Sequence, residues 1–553
     1  MNPRNARIVL LTVAAVAVLL IGRAWLRARN NYRMLMDMQS KDPAVRLAAV
    51  KGLMPPERLV DIVLAYPMRI VEKKTETGRR LEVLEADNSV RIAAVGAVAE
   101  AAKDPSLQKD CIKALIGLLK SVDREATDPS QKVKDAEKAP REKAWKHLGA
   151  IGEPAIPYLL EALRDPSGSV RDGAVEALGI IGTPTLPGLL VAFRDRDRRD
   201  KAWAALDKLK RPAVEPLIPL LKTRIPKDEG FPVSVASLLG SIDDPRAVPE
   251  LLEQMNDVKV PGLRRQVVRS LTAIADNRAT MPVLKLSYED PQMVLECITA
   301  FGEFKDPRAV PRLVELLSHL DAEVPPAAVG ALHKIGSASI PALLVAAKDR
   351  DVQRRANAIL ALGAIGGPQT VPVLMSAVGD PNPEVRYAAV VGLGKLKGND
   401  AVRATPLLVA RFRDEGKIAS AAADSVLSLV ENMPDEQTGL VSAILKPLVD
   451  AIGSPNGDLT SVYYASRVLA RIGEKAVPVL RSELRSPSPW RRKWAALTLG
   501  DMADKLAAQK AASDLRGLLA DKDADVRWAA GKALQKMGLV PQQVAAARGI
   551  RIP

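Results

Sequence analysis

What most narrows the folds open to this chain is a string that keeps returning along it. DPAVRLAAVKGL begins at Asp42, DNSVRIAAVGAV at Asp87, DPSGSVRDGAVEALGIIG at Asp165, DPNPEVRYAAVVGLGKL at Asp380 and DKDADVRWAAGKAL at Asp521. Looser copies begin at Asp195, Asp349 and Ser486. A second string alternates with the first: IGEPAIPYLLEAL at Ile151, IGTPTLPGLLVAF at Ile181, IGSASIPALLVAA at Ile335, IGGPQTVPVLMSAV at Ile365 and IGEKAVPVLRSEL at Ile472. The spacing from Ile151 to Ile181 equals that from Ile335 to Ile365, about thirty residues. A fixed period of this length marks an array of small supersecondary units.

The chemistry of one unit is legible. Asp is a good N-cap and Pro is tolerated at the first helical position, so Asp-Pro is expected to open a helix. In the unit at Asp165, the residues Val170, Ala174, Ala177, Leu178 and Ile181 form one apolar stripe at helical spacing. Gly179 and Gly182 are expected to end that helix. The next helix carries Pro157 or Pro187 near its start and a run such as Leu159, Leu160 and Leu163. One such hairpin cannot hide its own stripe, so the units are expected to stack. No strand alternation is read anywhere, and the predicted fold class is all-α.

These strings resemble the HEAT family, in particular its short variety of about thirty residues per unit, also found in phycobilin lyases. The resemblance implies a right-handed α-solenoid of stacked helical hairpins covering most of residues 40–540. It also implies a ladder between the Asp and Arg of neighbouring units, giving Asp42, Arg46, Asp380, Arg386, Asp521 and Arg527 structural roles. The expected organisation is an anchor over 1–30 and irregular repeats over 31–150. Regular repeats follow over 151–400, C-terminal repeats over 401–545 and a tail over 546–553. Residues 54–80 depart from the period, 122–143 form a charged insertion read as a solvated loop or protruding helix, and 225–232 and 453–458 read as longer turns.

Ile8 to Gly22 is an uncharged apolar run, and extension to Leu26 adds Trp25 as an interfacial anchor. At 1.5 Å rise the extended run covers about 28 Å, close to a bilayer core. Arg23, Arg27 and Arg29 follow without a small-x-small cleavage site, so one N-terminal transmembrane helix over residues 8–26 is expected rather than a cleaved signal. The excess of Arg after the span leans towards a cytoplasmic body.

The formal net charge of +15 includes +5 from residues 1–40, and the rest is diffuse, with acids and bases interleaved. That makes nucleic acid the less favoured partner. Aromatic residues make up only 3% of the chain, too few for the usual enzyme pocket. His147, His319 and His333 stand singly, without His-Glu pairs or an i, i+4 partner, and Cys111 and Cys297 are read as buried thiols. No phosphate-binding loop or nucleophile motif is present. The reading is therefore a non-enzymatic scaffold, without metal or cofactor, that binds protein partners along its inner helices. Binding along a basic groove and phycobilin-lyase-like chemistry stand as alternatives. The binding surface is placed at Arg354, Arg355, Trp490, Arg491 and Arg492, with Trp490 as an exposed contact. Trp494 shares a recurrent bulky position before Ala-Ala with Trp203, Tyr387 and Trp528, and is read as an inter-repeat contact.

Overall fold

In the unit that starts at Asp165, the chain turns before it coils. The Asp165 carboxylate accepts the Ser167 backbone N–H at 2.8 Å, and Arg171 Nη1 donates to the Asp165 carbonyl at 2.6 Å. Helix Gly168–Ile181 begins only then. The Asp therefore holds the entering turn rather than capping the helix directly, because the chain needs two further residues to reverse. At Asp244, Asp290 and Asp306 the expectation holds as written. Each of these aspartates caps a short 3-10 turn opened by Pro, accepting the N–H two residues on.

Helix Gly168–Ile181 buries Val170, Ala174, Ala177 and Leu178 and stops at Gly182, where φ is 81°. That backbone region is comfortable only for glycine. A 3-10 turn at Thr183–Thr185 leads into helix Leu186–Arg194, with Pro187 in its first turn. In the following unit the place of Gly182 is taken by Lys210, at φ 57° and ψ −129°. A side chain there carries backbone strain.

The computed structural model describes residues 89–119 and 131–539 apart from 257–258, 261, 415, 433–437 and 454–457, together with 33–34, 37, 48–52, 70–75 and 78–83. The segment predicted to cross a membrane, residues 8–26, lies outside the described residues, as do Asp42, Arg46, residues 122–130 and the tail. The charged insertion continues from Gln131 as helix Gln131–Ile151, which runs unbroken through Pro140.

Contacts divide the chain into two compact units, Met1–Ser270 and Leu271–Pro553. In the first, helices Ser89–Ala101, Gln131–Ile151, Gly168–Ile181, Arg199–Leu209 and Phe231–Ile242 pack side by side in sequence. In the second, the corresponding row is Val294–Phe304, Val324–Ile335, Val352–Ile365, Pro383–Leu393, Lys417–Glu431, Leu459–Ile472, Pro489–Asp501 and Ala524–Lys536. The intervening helices form a second layer, so each unit is a two-layered stack of hairpins, as the repeat demanded. The core lies between the layers and is built mainly from Ala, Val and Leu, with Phe193, Phe231, Phe301 and Phe412 fully buried.

Small residues let the first layer close up. A Cβ added at Gly363 would lie 2.4 Å from the Gly392 Cα in the next helix of the row, a contact no side chain tolerates. Buried polar staples fix the spacing. Asn357 Nδ2 donates to the Leu317 carbonyl at 2.7 Å, Ser425 Oγ to the Val390 carbonyl at 3.0 Å, and Ser466 and Thr498 share a hydroxyl hydrogen bond of 2.7 Å.

One element corrects the strand-free reading. Ile70–Thr75 (β1) and Gly78–Val83 (β2) pair antiparallel, with Thr75 opposite Gly78. The stretch IVEKKT–GRRLEV offers β-branched residues on either side of a Gly-bounded turn. Its charges masked that signal inside the break at 54–80. All other described elements are helical.

Among the described residues, Val324–Ala346 is long and apolar enough for a membrane span by length and composition, and the pair Gly168–Ile181 and Thr183–Arg194 passes only if taken together across a bend of 119°. Val324–Ala346 is a hairpin of the array, helices Val324–Ile335 and Ile340–Ala346 joined by a 3-10 turn, with Ala328, Leu332 and Leu343 buried.

Candidate interaction face

Before any ligand is considered, the array commits many of its cations to itself. Arg355 donates through Nε to Asp380 Oδ2 at 3.1 Å and through Nη1 to the Asp349 carbonyl at 2.7 Å. Arg386 repeats the arrangement one unit on, reaching the Asp380 carbonyl at 3.0 Å and Asp414 Oδ2 at 2.7 Å. Arg492 grips Asp521 with two hydrogen bonds of 2.8 Å, and Arg527 donates to the Asp521 carbonyl at 2.8 Å. Arg355, Arg386 and Arg492 thus each close their own turn and bond the Asp of the next unit, with two hydrogen bonds of 2.8 Å at Arg492, whereas Arg527 closes only its own turn. The ladder implied for Asp380, Arg386 and Asp521 is present, and Arg527 has a structural role within its own turn only. Arg199 joins its own rung to Asp228, delivered by the longer turn at 225–232.

These bonds have electrostatic consequences. The Arg492 guanidinium holds the Asp521 carboxyl below the usual carboxylate range, and Arg199 does the same to Asp228. A second set of rungs was not read from the sequence. Asp244, Asp276 and Asp306 each bind the arginine two residues on, through pairs such as Arg246 Nη2 to Asp244 Oδ2 at 2.9 Å and Arg278 Nη2 to Asp276 Oδ2 at 2.8 Å. Arg246 also donates to the Arg211 carbonyl, and Arg308 to the Asn277 carbonyl, both in the preceding hairpin. Hydrogen bonds from Arg246 and Arg308 lower the carboxyls of Asp244 and Asp306 to about 2.

The residues expected to bind a partner are placed as follows. Arg355 and Arg492 are ladder rungs whose side chains are only 16% and 15% exposed. Arg354 bonds Asp349 Oδ2 and Ser318 Oγ, each at 3.0 Å. Arg491 pairs with Glu483 at 3.2 Å and Asp450 at 3.5 Å. Trp490 is half-buried, its ring 5.9 Å from that of Trp494, and neither indole N–H has an acceptor among the described residues. The structure therefore gathers Trp490, Arg491 and Arg492 on one helix, with Arg354 and Arg355 four units away in sequence order. All four arginines already hold internal partners.

One helix earlier in the row the situation differs. Helix Leu459–Ile472 presents Leu459, Tyr463, Arg467 and Arg471 at intervals of four residues along its outward side. Leu459 is 65% and Tyr463 53% exposed. Arg471 pairs with Asp424 at 3.0 Å. Arg467 lies 5.8 Å from the Tyr463 ring centroid, donates to its hydroxyl at 3.3 Å, and meets no carboxylate among the described residues. Between this helix and Pro489–Asp501 opens a cavity of about 180 Å³, lined by Tyr463, Ser466, Arg467, Arg471, Trp494 and Asp501 among others. Asp501 is itself paired with Lys536. Sequence reading passed over this stripe, although its i, i+4 spacing of bulky residues opposite the apolar face was visible in LTSVYYASRVLARI.

Burial pushes the thiols of Cys111 and Cys297 up to about 11 and about 12, and both are free. Burial also lowers His147, and His319 Nδ1 accepts the Asp321 N–H at 3.1 Å. No group of His, Cys, Asp and Glu that could hold a metal ion occurs among the described residues.

Solved structures similar to this chain include Kap121p, 14% identical over 95% of this chain with a TM-score of 0.37. Importin beta is 14% identical over 98% of this chain and 82% of its own, with a TM-score of 0.36. The CpcE–CpcF complex of phycocyanin lyase from Nostoc sp. PCC7120 is 28% identical over 29% of this chain and 99% of its own, with a TM-score of 0.24. The chain spans 58% of the length of Kap121p. Likenesses at these scores say nothing of what this chain binds. No curated protein matches. The profile for HEAT repeats matches residues 130–210, 285–354, 340–428 and 445–535, more than half of the chain. With hairpins, ladder and profile in agreement, the chain belongs to the HEAT repeat family.

Proposed function

We propose that this protein is a membrane-anchored, non-enzymatic scaffold that binds protein partners on the outward side of its first helical layer. The observation that carries the reading is the contrast within that layer. Arg199, Arg355, Arg386 and Arg492 are locked in the Asp–Arg ladder, yet helix Leu459–Ile472 keeps Leu459, Tyr463 and Arg467 in solvent. Exposed aromatic and apolar side chains beside an uncommitted guanidinium are the kind of group that dominates protein interfaces. The anchor is supported by the apolar run Ile8–Gly22 with its flanking Trp25 and arginines, and the charge rule favours a cytoplasmic body.

A photo-crosslinking side chain placed at Tyr463 or Tyr387 should capture the same partner in cells, whereas one placed at Val345 in the second layer should capture none. Equal capture from both layers, or from neither, removes the reading. Resistance to alkaline extraction that disappears when residues 1–30 are deleted tests the anchor, and protease digestion of sealed vesicles tests the side.

A further inference from the structure

We infer that the cavity between helices Leu459–Ile472 and Pro489–Asp501 is a docking site for an extended acidic segment of a partner protein. In this segment an aspartate or glutamate meets Arg467 and a neighbouring leucine-sized side chain enters the cavity. The inference rests on the scaffold reading and gives it a place and a ligand chemistry.

Charge is the first support. Of the cations around the cavity, Arg471 is held by Asp424, Lys493 by Asp525 at 2.7 Å, and Lys536 by Asp501. The carboxylate that lines the cavity, Asp501, is thereby neutralised. Arg467 alone is left with only a phenol hydroxyl as partner among the described residues, so the site carries an unanswered positive charge. A carboxylate forms with a guanidinium the stronger, charge-assisted kind of hydrogen bond.

Shape is the second. A cavity of about 180 Å³ has the volume of roughly six waters, room for one aliphatic side chain but not for a folded element. Leu459 and Tyr463 extend it as an apolar shoulder along the same helix face. An extended segment alternates its side chains, so one can enter the cavity while a neighbour lies against the guanidinium.

The same features disfavour other occupants. Single-stranded nucleic acid needs a track of free cations along its phosphates and open aromatic faces for its bases. Here one guanidinium is free, and Trp490 and Trp494 are half-buried. The chain's own terminal segments are basic, with a net +5 over residues 1–40 and Arg548 and Arg551 in the last residues, so neither complements Arg467.

The test uses the full chain in detergent micelles and a displayed library of random twelve-residue peptides. Peptides are selected on the natural protein and counter-selected on the Arg467→Glu variant, whose exposed substitution leaves the fold intact. The expected outcome is enrichment of peptides combining Asp or Glu with Leu or an aromatic residue. Their affinity should fall about tenfold or more in Arg467→Glu, the loss of one charge pair with the peptide, and be largely kept in Arg467→Lys. Quenching of Trp fluorescence on binding should vanish in Trp494→Phe. No enrichment, enrichment without acidic residues, or equal retention by Arg467→Glu overturns the inference. Stronger binding of oligo(dT) that depends on Arg467 overturns it too. If crosslinking from Tyr387 still captures a partner while Arg467→Glu changes nothing, this site fails and the scaffold reading stands. If neither captures anything, both fail.

Discussion

Two neighbouring helices of the first layer point in opposite directions from their sequences. Pro489–Asp501 begins with two tryptophans around three cations and reads as a binding surface, whereas Leu459–Ile472 reads as ordinary repeat. In the structure Arg491, Arg492 and Lys493 all hold carboxylates, two of them in the following hairpin, and the tryptophans pack against each other. The plainer helix leaves Tyr463 and Arg467 in solvent. A cluster of cations in a repeat protein thus reports on the acids of the adjoining unit as much as on a ligand. Availability is set by what lies one period away.

Breaking the crowded helix should have the larger effect on stability. Arg492→Ala leaves Asp521 with its strongest partner removed and the turn carbonyl of Ser486 without a donor. A loss of about 2 kcal/mol is expected, seen as a lower urea midpoint, with acidic-peptide binding at Arg467 unchanged. The second set of rungs should announce itself in acid. Asp244 and Asp306 have carboxyls lowered to about 2, below their unfolded value near 3.8. Between those values the unfolded chain binds more protons, so the stabilisation is complete above about pH 4 and is lost as pH falls towards 2. Acid titration followed by circular dichroism should show a steeper loss below pH 4 than in the Asp244→Asn, Asp306→Asn double variant. Lys210→Gly relieves a backbone that favours glycine and should raise the unfolding free energy by about 1 kcal/mol, seen as a higher urea midpoint. Arg467→Ala should be the quietest of all in stability, within about 0.5 kcal/mol, because its side chain packs mainly on solvent-exposed Tyr463.

The hairpins were readable because a thirty-residue period ties apolar stripe, Gly stop and Pro start together, and each reinforces the others. The ladder was readable at Asp380, Arg386 and Asp521 through family resemblance. It was not readable that Arg355 and Arg492 belong to the same ladder, since their carboxylates lie 25 and 29 residues further along the chain. The Asp-x-Arg rungs at Asp244, Asp276 and Asp306 recur at about the same period and were present to be counted. The β1–β2 pair escaped because its alternation is carried by charged residues within an irregular segment. Arg467 escaped for the opposite reason, since nothing in a sequence marks a cation that lacks a partner.

Arginine-specific modification of the native full chain by phenylglyoxal, followed residue by residue by mass spectrometry, tests this division of labour most directly. Arg467 should react rapidly, while Arg355, Arg386 and Arg492 stay protected until the protein is unfolded. Reaction of the ladder arginines at the rate of Arg467 would contradict the account.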